Sequence, residues 1–313
     1  VLARPATLRY RTGKLLRQIH SQHSGHRSIL RIGPAGEQGV AYAAINVDTY
    51  RHFGRLGAGA VMGGKHLKGI IVAGDASLDL PKERRKSYNE TYTQVHHAIT
   101  GQDVMRKYHD LGTPENLEPL NALQALPWRN LQATNDPAVS SISGETFARD
   151  LLLRQTACAG CPVGCIHVGL LRERFGSDHE FFYRQVSYDY EPIFALGSML
   201  GMERASEILT LLEDAERYGL DVISCGVALA WATEALEKGV VTEKETLAPL
   251  AFNTLEPYRT ALGHLALRSN EFYHALGRGA ARAAAEYGGT DFACVLGQEM
   301  AGLTGELFIA GAV

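Results

Sequence analysis

The chain has 313 residues, a formal net charge of −3, 45% apolar residues and 21% charged residues. These values are ordinary for a folded protein, and the weak net charge gives no electrostatic reason to expect nucleic acid or an anionic membrane as a partner. No apolar run approaches the roughly 18 residues of a membrane span. No secretory leader precedes the five cysteines, which argues against a disulfide scaffold. We therefore expect a cytoplasmic protein of about two domains.

The first half of the chain changes from a strand-like to a helix-like pattern. Between residues 28 and 74, short segments rich in Val, Ile and Tyr are separated by glycines, which predicts strands. From about residue 87 the pattern favours helix, and residues 103–110 predict a short helix. Prolines scattered through 113–143 predict a long loop. Apolar residues at helical spacing predict a further helix over 145–156.

The second half predicts a helical core. Residues 203–219 carry apolar side chains along one face, and Gly219 stands where the residue after a helix C-terminus belongs. Asp221 is placed to cap the next helix, over 222–239, which is apolar nearly all round and is therefore expected to be buried. A third helix is expected over 270–287, where two glycines end it.

The segment from Gly54 to Asp75 combines glycines with cationic side chains. Glycine permits positive φ and a close approach of the backbone to a ligand, and cationic donors bind phosphate oxygens. The pattern favours a site for a phosphate-bearing cofactor, and a structural turn with solvated lysines is the alternative. The dinucleotide-binding fingerprint is not matched, because Met62 replaces its third glycine and the next regular segment is strand-like. The residues concerned are Arg55, Gly57, Gly59, Gly63, Gly64, Lys65, His66 and Lys68.

Three of the five cysteines crowd into a short loop. Cys158, Cys161 and Cys165 have the spacing C-x2-C-x3-C among glycine and proline residues. Soft thiolate ligands this close favour an iron–sulfur cluster, with zinc as the alternative. A [4Fe–4S] cluster needs a fourth ligand. Cys225 and Cys294 are available for that role, but each fits a buried core thiol better.

Taken together, these segments make the chain resemble the tungsten-containing aldehyde ferredoxin oxidoreductase family. The resemblance is carried by IGPAGEQGVAYAAIN, GRLGAGAVMGGKHLKGI, CAGCPVGC, YEPIFALGSMLG and YGLDVISCGVALAWATEA, and more loosely by GQEMAG. It implies an α+β fold. Residues 1–78 would form the C-terminal part of an antiparallel-rich, pterin-binding β domain, and residues 79–313 a mainly helical region that carries the cluster cysteines.

The resemblance also implies cofactors and an activity. The family holds a tungsten or molybdenum ion between two pterins, with Mg²⁺ as an option for bridging the pterin phosphates, next to a [4Fe–4S] cluster. It oxidises an aldehyde to a carboxylic acid and passes electrons to ferredoxin. For this chain we expect ferredoxin or an iron–sulfur electron-transfer subunit as the partner, a small aldehyde as the substrate, and a homo- or hetero-oligomer.

Individual positions match the family's functional residues. Glu191, which follows Tyr190, matches an acidic residue near the metal and is the candidate proton acceptor. Glu216 stands where the family's D-x-x-G-L-D pterin motif has aspartate, so its contact is expected to be longer or lost. The matched positions are Arg55, Gly57, Gly59, Ala60, Glu216, Gly219, Leu220 and Asp221 for the pterin, and Cys158, Cys161 and Cys165 for the cluster.

The ends of the chain depart from the family pattern. The chain begins with Val1 instead of methionine and stops at Val313, ahead of the motif that holds the family's fourth cluster cysteine. We therefore expect a fragment that is inactive by itself. Two other functions stay open. One is the tungsten catalytic subunit of a multi-subunit reductase acting on an aromatic acyl-CoA, and the other is a non-catalytic iron–sulfur or zinc protein.

Overall fold

The computed structural model describes residues 26–48, 51–74, 80–174, 181–295 and 298–299. Both ends of the chain and most of the GQEMAG block lie outside these ranges. The strands are β1 (His26–Ile32), β2 (Ile45–Val47), β3 (Arg51–His52), β4 (Gly69–Gly74), β5 (Leu152–Thr156), β6 (Ile166–Arg174), β7 (Phe181–Tyr188), β8 (Cys294–Val295) and β9 (Gln298–Glu299). The α-helices are α1 (Pro34–Glu37), α2 (Ala58–Gly64), α3 (Lys82–Thr100), α4 (Asp103–Asp110), α5 (Leu117–Ala122), α6 (Gly144–Asp150), α7 (Tyr190–Leu196), α8 (Ala205–Tyr218), α9 (Val222–Glu237), α10 (Glu243–Thr246), α11 (Leu255–Leu267), α12 (Glu271–Leu276) and α13 (Ala280–Tyr287).

The first four strands form an antiparallel sheet in the order β3-β2-β1-β4. Leu30 of β1 is opposite Val47 of β2 on one side and Ile70 of β4 on the other. Helices α1 and α2 pack on β1 and on each other. Their backbones touch, because a Cβ atom on Gly63 would lie 1.8 Å from the Gly36 carbonyl oxygen. The glycines of this region are therefore needed first for helix packing.

A second antiparallel sheet has the order β5-β6-β7. The β6–β7 pairing runs from His167 opposite Tyr188 to Arg174 opposite Phe181. This three-stranded sheet packs on α8 through β6 and β7. At its end, β7 leads through Asp189 directly into α7, so the sheet carries the chain from the cysteine loop to the predicted proton acceptor.

The helical core is built around α9, which is buried from Ser224 to Ala235. A Cβ atom on Gly226 would lie 2.3 Å from the Ala195 carbonyl oxygen, so this glycine lets α9 cross α7 at close range. As expected, Gly219 adopts φ of 71° after α8, and Asp221 caps α9 by accepting a hydrogen bond from the Ile223 amide. In the described ranges, no helix combines the length and the apolarity needed to cross a bilayer.

The α+β fold class is confirmed, and four local predictions are wrong. The glycine-rich segment contains α2, because its glycines pack against neighbouring backbone inside a helix. The expected loop 113–143 contains α5 and 3₁₀ turns, since its prolines occupy the first turns of short helices. The expected helix 145–156 ends at Asp150, and β5 follows with a register shift. The expected third helix is divided into α12 and α13 by Gly277 and Gly279.

Two adjacent glycines of α2 test the packing argument. We expect Gly63→Ala to lower the free energy of unfolding by about 1–3 kcal/mol, because its Cβ would overlap the Gly36 carbonyl. Gly64→Ala is the matched control. Nothing lies within 4 Å of its Cβ position, so it should be neutral or stabilising by about 0.4–1 kcal/mol. Urea unfolding measures both, and equal effects of the two substitutions would contradict the packing role.

Candidate cofactor and cluster site

Arg55 and Asp221 join the sheet region to the helical core. The Arg55 Nε atom lies 3.1 Å from Asp221 Oδ2, and its Nη2 atom donates to Ser224 Oγ at 3.1 Å. Ser224 Oγ in turn donates to the same Asp221 oxygen at 2.7 Å. Asp221 is 7% exposed, so this charge-assisted pair is shielded from solvent more than a surface ion pair. The junction brings the two sequence blocks predicted to bind a pterin, one around Arg55 and one around Gly219, next to each other.

Backbone contacts complete the junction. The Ala44 amide donates to the Gly219 carbonyl at 2.8 Å, and the Asp221 amide donates to the Tyr42 carbonyl at 2.9 Å. A Cβ atom on Gly219 would lie 2.6 Å from the Gly33 nitrogen, so the αL turn that ends α8 presses directly on the start of α1. Leu220 is buried at this contact.

The predicted glycine contacts have a packing reason of their own. Gly57 adopts φ of 72°, and a Cβ atom there would lie 1.9 Å from the Ala41 carbonyl oxygen. A Cβ atom on Gly59 would lie 2.5 Å from the Ala44 carbonyl oxygen. Ala60 is partly buried against the core. These residues hold α2 against residues 41–44 and thereby fix the position of the Arg55 backbone just ahead of α2.

Four carboxylates lie beside the junction, and they are Glu213, Glu216, Asp189 and Glu191. Burial raises the pKa of Glu216 to about 8, with Arg31 acting in the opposite direction and Glu213 and Asp189 adding to the rise. Burial likewise raises the pKa of Asp189 to about 7, and the nearby Glu191 adds to the effect. Glu191 itself is partly buried in the first turn of α7.

Cations and a hydroxyl partly balance this acidic group. Arg31 of β1 favours the charged form of Glu216, and Arg51 of β3 does the same for Asp189. The Thr113 side chain also hydrogen-bonds the Asp189 carboxyl. Its Oγ1 atom accepts a hydrogen bond from the Tyr190 amide at 2.9 Å. Two groups that titrate near neutrality are therefore held between the sheet and the helical core, which suits proton transfer.

The cysteine loop connects β5 to β6. Cys158 is exposed, and Cys161 and Cys165 are partly buried. The Cys161 amide donates to the Cys158 carbonyl at 3.1 Å, and Gly160 and Gly164 adopt φ of 76° and 70°. The backbone thus turns back on itself within the loop that carries the three thiols.

The cysteine loop and the acidic group are electrostatic neighbours. Burial raises the pKa of the Cys165 thiol, and Asp189, Cys161 and Cys158 add to the rise. Asp189 therefore interacts with the Cys165 thiol on one side and with Glu191 on the other. Asp189 is a site residue that the sequence analysis missed. Its position two residues before Glu191 is the signal that could have indicated it.

The donor set fits a thiolate-bound cluster by its chemistry. Among the described residues, no three His, Cys, Asp or Glu side chains converge to hold a single metal ion. A [4Fe–4S] cluster does not require such convergence, because its cysteines bind different iron atoms. Cys225 is fully buried in α9 and donates to the Val222 carbonyl, as expected for a core thiol. Cys294 is partly buried in β8.

The fold and the site together define an α+β chain in which a thiol loop adjoins a buried carboxylate and arginine site. Family models match almost the whole chain: residues 7–74 match "Aldehyde ferredoxin oxidoreductase, N-terminal domain", and residues 90–308 match "Aldehyde ferredoxin oxidoreductase, domains 2 & 3". The chain belongs to the aldehyde ferredoxin oxidoreductase family, which confirms the resemblance noted in the sequence.

Curated relatives are similar over most of this chain. The tungsten-containing aldehyde ferredoxin oxidoreductase of Pyrococcus abyssi is 30% identical over 273 residues, which is 85% of this chain and 43% of the relative. That of Thermococcus kodakarensis is 31% identical over 84% of this chain and 42% of the relative. The WOR-like subunit of an aliphatic sulfonate oxidoreductase from Pyrococcus furiosus is 27% identical over 82% and 40%. The chain thus spans less than half the length of the relatives it matches.

A solved structure shares the fold. The active site complex BamBC of benzoyl coenzyme A reductase, in complex with 1,5-dienoyl-CoA, contains a chain that matches with a TM-score of 0.67 and 21% identity. The match covers 91% of this chain and 43% of that chain. At this identity the likeness supports the fold alone.

The raised pKa of Asp189 predicts how stability depends on pH. A carboxyl group whose pKa is higher in the folded than in the unfolded state favours folding most below the unfolded pKa, near 3.8, and this contribution is lost as the pH rises through about 7. We therefore expect Asp189→Asn to gain stability relative to the wild type between pH 4 and pH 8, by on the order of 2–4 kcal/mol. Urea unfolding across this range measures the gain.

The Asp150→Asn variant gives the control of opposite sign. Arg149 hydrogen-bonds the exposed Asp150 and lowers its pKa, so removal of this carboxylate should cost stability above pH 4. A stability difference between Asp189→Asn and the wild type that does not change with pH would contradict the assignment of Asp189.

Proposed function

We propose that this chain forms the pterin- and cluster-binding part of a tungsten-dependent oxidoreductase that oxidises a small aldehyde to a carboxylic acid. Residues up to 78 would belong to the pterin-binding β domain, and residues from 79 to the helical region. Ferredoxin or an iron–sulfur subunit would accept the electrons, within a homo- or hetero-oligomer. The observation that carries the proposal is the Arg55–Asp221 junction, because it unites both family motifs expected to bind the pterin.

The residues of the chain suit the parts of this reaction. Oxidation of an aldehyde with water to a carboxylic acid releases two electrons and two protons. When bound, the tungsten or molybdenum pterin supplies the Lewis-acidic, two-electron redox centre. Arg55 offers a cationic donor for pterin phosphate, and Asp221 orients its guanidinium. Mg²⁺ would serve as a further counter-ion for the pterin phosphates.

Proton transfer is assigned to the carboxylates beside the junction. Glu191 is the proposed proton acceptor, at the start of α7. Asp189, with a pKa of about 7, can take up a proton and release it at neutral pH. The positive charges of Arg31 and Arg51 offset part of the repulsion between the negatively charged carboxylates. A proton can thus leave the reaction site through groups of this chain.

Electron exit is assigned to the cysteine loop. Cys158, Cys161 and Cys165 would hold three corners of a [4Fe–4S] cluster. Cys165 lies near Asp189, on the side of the acidic group, whereas Cys158 is exposed. These thiolates would hold a cluster that passes electrons on, and the exposed Cys158 lies where a redox partner can approach.

A second function has one observation in its favour. The structural match to a subunit of a benzoyl coenzyme A reductase complex covers 91% of this chain. A tungsten catalytic subunit that acts on an aromatic acyl-CoA is therefore the alternative, and it would use the same ligands. Substrate-dependent reduction of a dye by an aldehyde, compared with oxidation of a reduced dye by an aromatic acyl-CoA, distinguishes the two.

Metal analysis of the anaerobically purified full-length protein tests the cofactors. We expect iron and acid-labile sulfide with tungsten or molybdenum and pterin fluorescence. Cys161→Ser should lose most of the visible absorbance of the cluster, because a thiolate ligand is removed. Cys225→Ser is the control, since this thiol lies in the core of α9, and it should keep that absorbance. Zinc as the sole metal would reject both oxidoreductase functions in favour of a structural site.

Glu191→Gln in the full-length protein tests the proton acceptor, because this chain alone is expected to be inactive. The amide keeps the size of the side chain but cannot accept a proton, so we expect aldehyde oxidation to fall by about 10²–10⁴-fold. Tungsten, pterin and iron contents should stay unchanged. Glu118→Gln, on the exposed side of α5, is the control and should leave the rate as it is. If the Glu191→Gln protein keeps full activity, Asp189 or Glu216 becomes the acceptor to test next.

A further inference from the structure

The last turn of α4 touches the cysteine loop. The His109 Nδ1 atom lies 2.8 Å from the Val163 carbonyl oxygen, and because a carbonyl oxygen only accepts, the imidazole donates. A Cβ atom on Gly164 would lie 3.1 Å from the same nitrogen, so the ring rests against the loop backbone. His109 is itself exposed at the surface.

A second histidine holds the loop from inside. His167 is fully buried, with Nδ1 at 3.0 Å from the Cys165 carbonyl oxygen and Nε2 at 3.2 Å from the Asp110 carbonyl oxygen. Both carbonyl oxygens only accept, so a neutral imidazole donates to one of them and contacts the other, and its ring lies between the cysteine loop and the end of α4. Gly112, with φ of 70°, leaves the necessary room, because a Cβ atom there would lie 2.6 Å from His167 Nδ1.

The same side chain ties the loop to the acidic group. His167 is opposite Tyr188 in the β6–β7 pairing, and the two rings are 5.7 Å apart. Tyr188 is followed by Asp189. The position of Cys165 relative to Asp189 is thus fixed through one buried imidazole and one strand pair.

The loop needs such restraint. Gly160 and Gly164 adopt positive φ, and glycine has more backbone freedom to lose than any other residue. The Cys161–Cys158 turn hydrogen bond limits the first half of the loop. The histidine contacts act on the second half, at Val163 and Cys165. Partners that orient metal ligands in this way tune the site they surround.

We propose that His109 and His167 are positioning residues for the cluster. They hold the carbonyl groups of Val163 and Cys165 against the end of α4 and thereby set the arrangement of the three thiols. This inference rests on the proposed cluster site. Neither histidine binds the metal, and each acts on the cysteines through the loop backbone.

His109 is the better residue for a test, because it is exposed and its replacement leaves the core intact. His109→Leu removes the donor, and His109→Asn restores it, since the asparagine amide can take the place of Nδ1–H. His97→Leu is the matched control, because His97 is also an exposed histidine in the last turn of a helix, α3. Hydrogen exchange of the amides at 159–166 is measured in the 313-residue chain without cluster.

Loss of one hydrogen bond at the loop should speed this exchange about tenfold in His109→Leu. His109→Asn should bring the rate back towards that of the wild type, and His97→Leu should not change it. With the cluster reconstituted from iron and sulfide in the full-length protein, His109→Leu should shift the electron paramagnetic resonance spectrum of the reduced cluster, while its urea midpoint stays close to that of the wild type.

The two readouts separate the two proposals. If the wild-type full-length protein, which supplies the fourth ligand expected beyond Val313, assembles no cluster, the proposed function loses its cluster site, and the exchange measurement alone decides whether His109 orders the loop. If exchange and spectrum of His109→Leu match those of the wild type, the positioning role is wrong while the cluster site stands. His167→Asn, which keeps a donor near the Cys165 carbonyl, should give a spectrum closer to the wild type than His167→Leu.

Discussion

One carboxylate, that of Asp221, connects the two halves of this molecule. Its Oδ1 atom caps α9 through the Ile223 amide, and its Oδ2 atom accepts hydrogen bonds from Arg55 and Ser224. Its backbone amide donates to Tyr42. A helix start, an ion pair and an inter-segment backbone contact thus meet at one residue. Because α9 is the most deeply buried helix, this arrangement places Arg55 of the sheet region at a fixed point on the helical core.

Asp189 and Glu216 differ from Asp221, because their charged forms lower the stability of the fold. Asp189 and Glu216 are held where burial disfavours their charged forms, and Arg31 and Arg51 only partly offset that cost. Groups that serve stability alone would be expected to find full partners, as Asp214 does with Arg217 and Arg259. The contrast between Asp214 and the Asp189–Glu216 pair within one fold supports a functional reason for the incompletely compensated carboxylates.

Sequence reasoning succeeded where the signal is local. Gly219 and Asp221 could be assigned to the end of one helix and the start of the next, because a left-handed cap and a side-chain cap depend on a few adjacent residues. It failed where a distant partner decides. Leu152 continues a helical pattern in sequence, yet it pairs with Gly169 in β5. His109 contacts Val163 across 54 positions and His167 contacts Asp110 across 57, and no spacing rule indicates either contact.

The glycine-rich segment shows how a predicted ligand contact can rest on residues that have another explanation. Its glycines suggested a close approach to phosphate, but Gly57 and Gly59 face the carbonyl groups of Ala41 and Ala44. Their missing side chains are explained by protein packing, which leaves the cations to argue for an anionic ligand. Of these, Lys68 pairs with Glu37 at 2.6 Å, whereas Lys65 is exposed. The case for a phosphate-bearing cofactor therefore depends on Arg55, whose guanidinium is already oriented by Asp221, more than on any glycine.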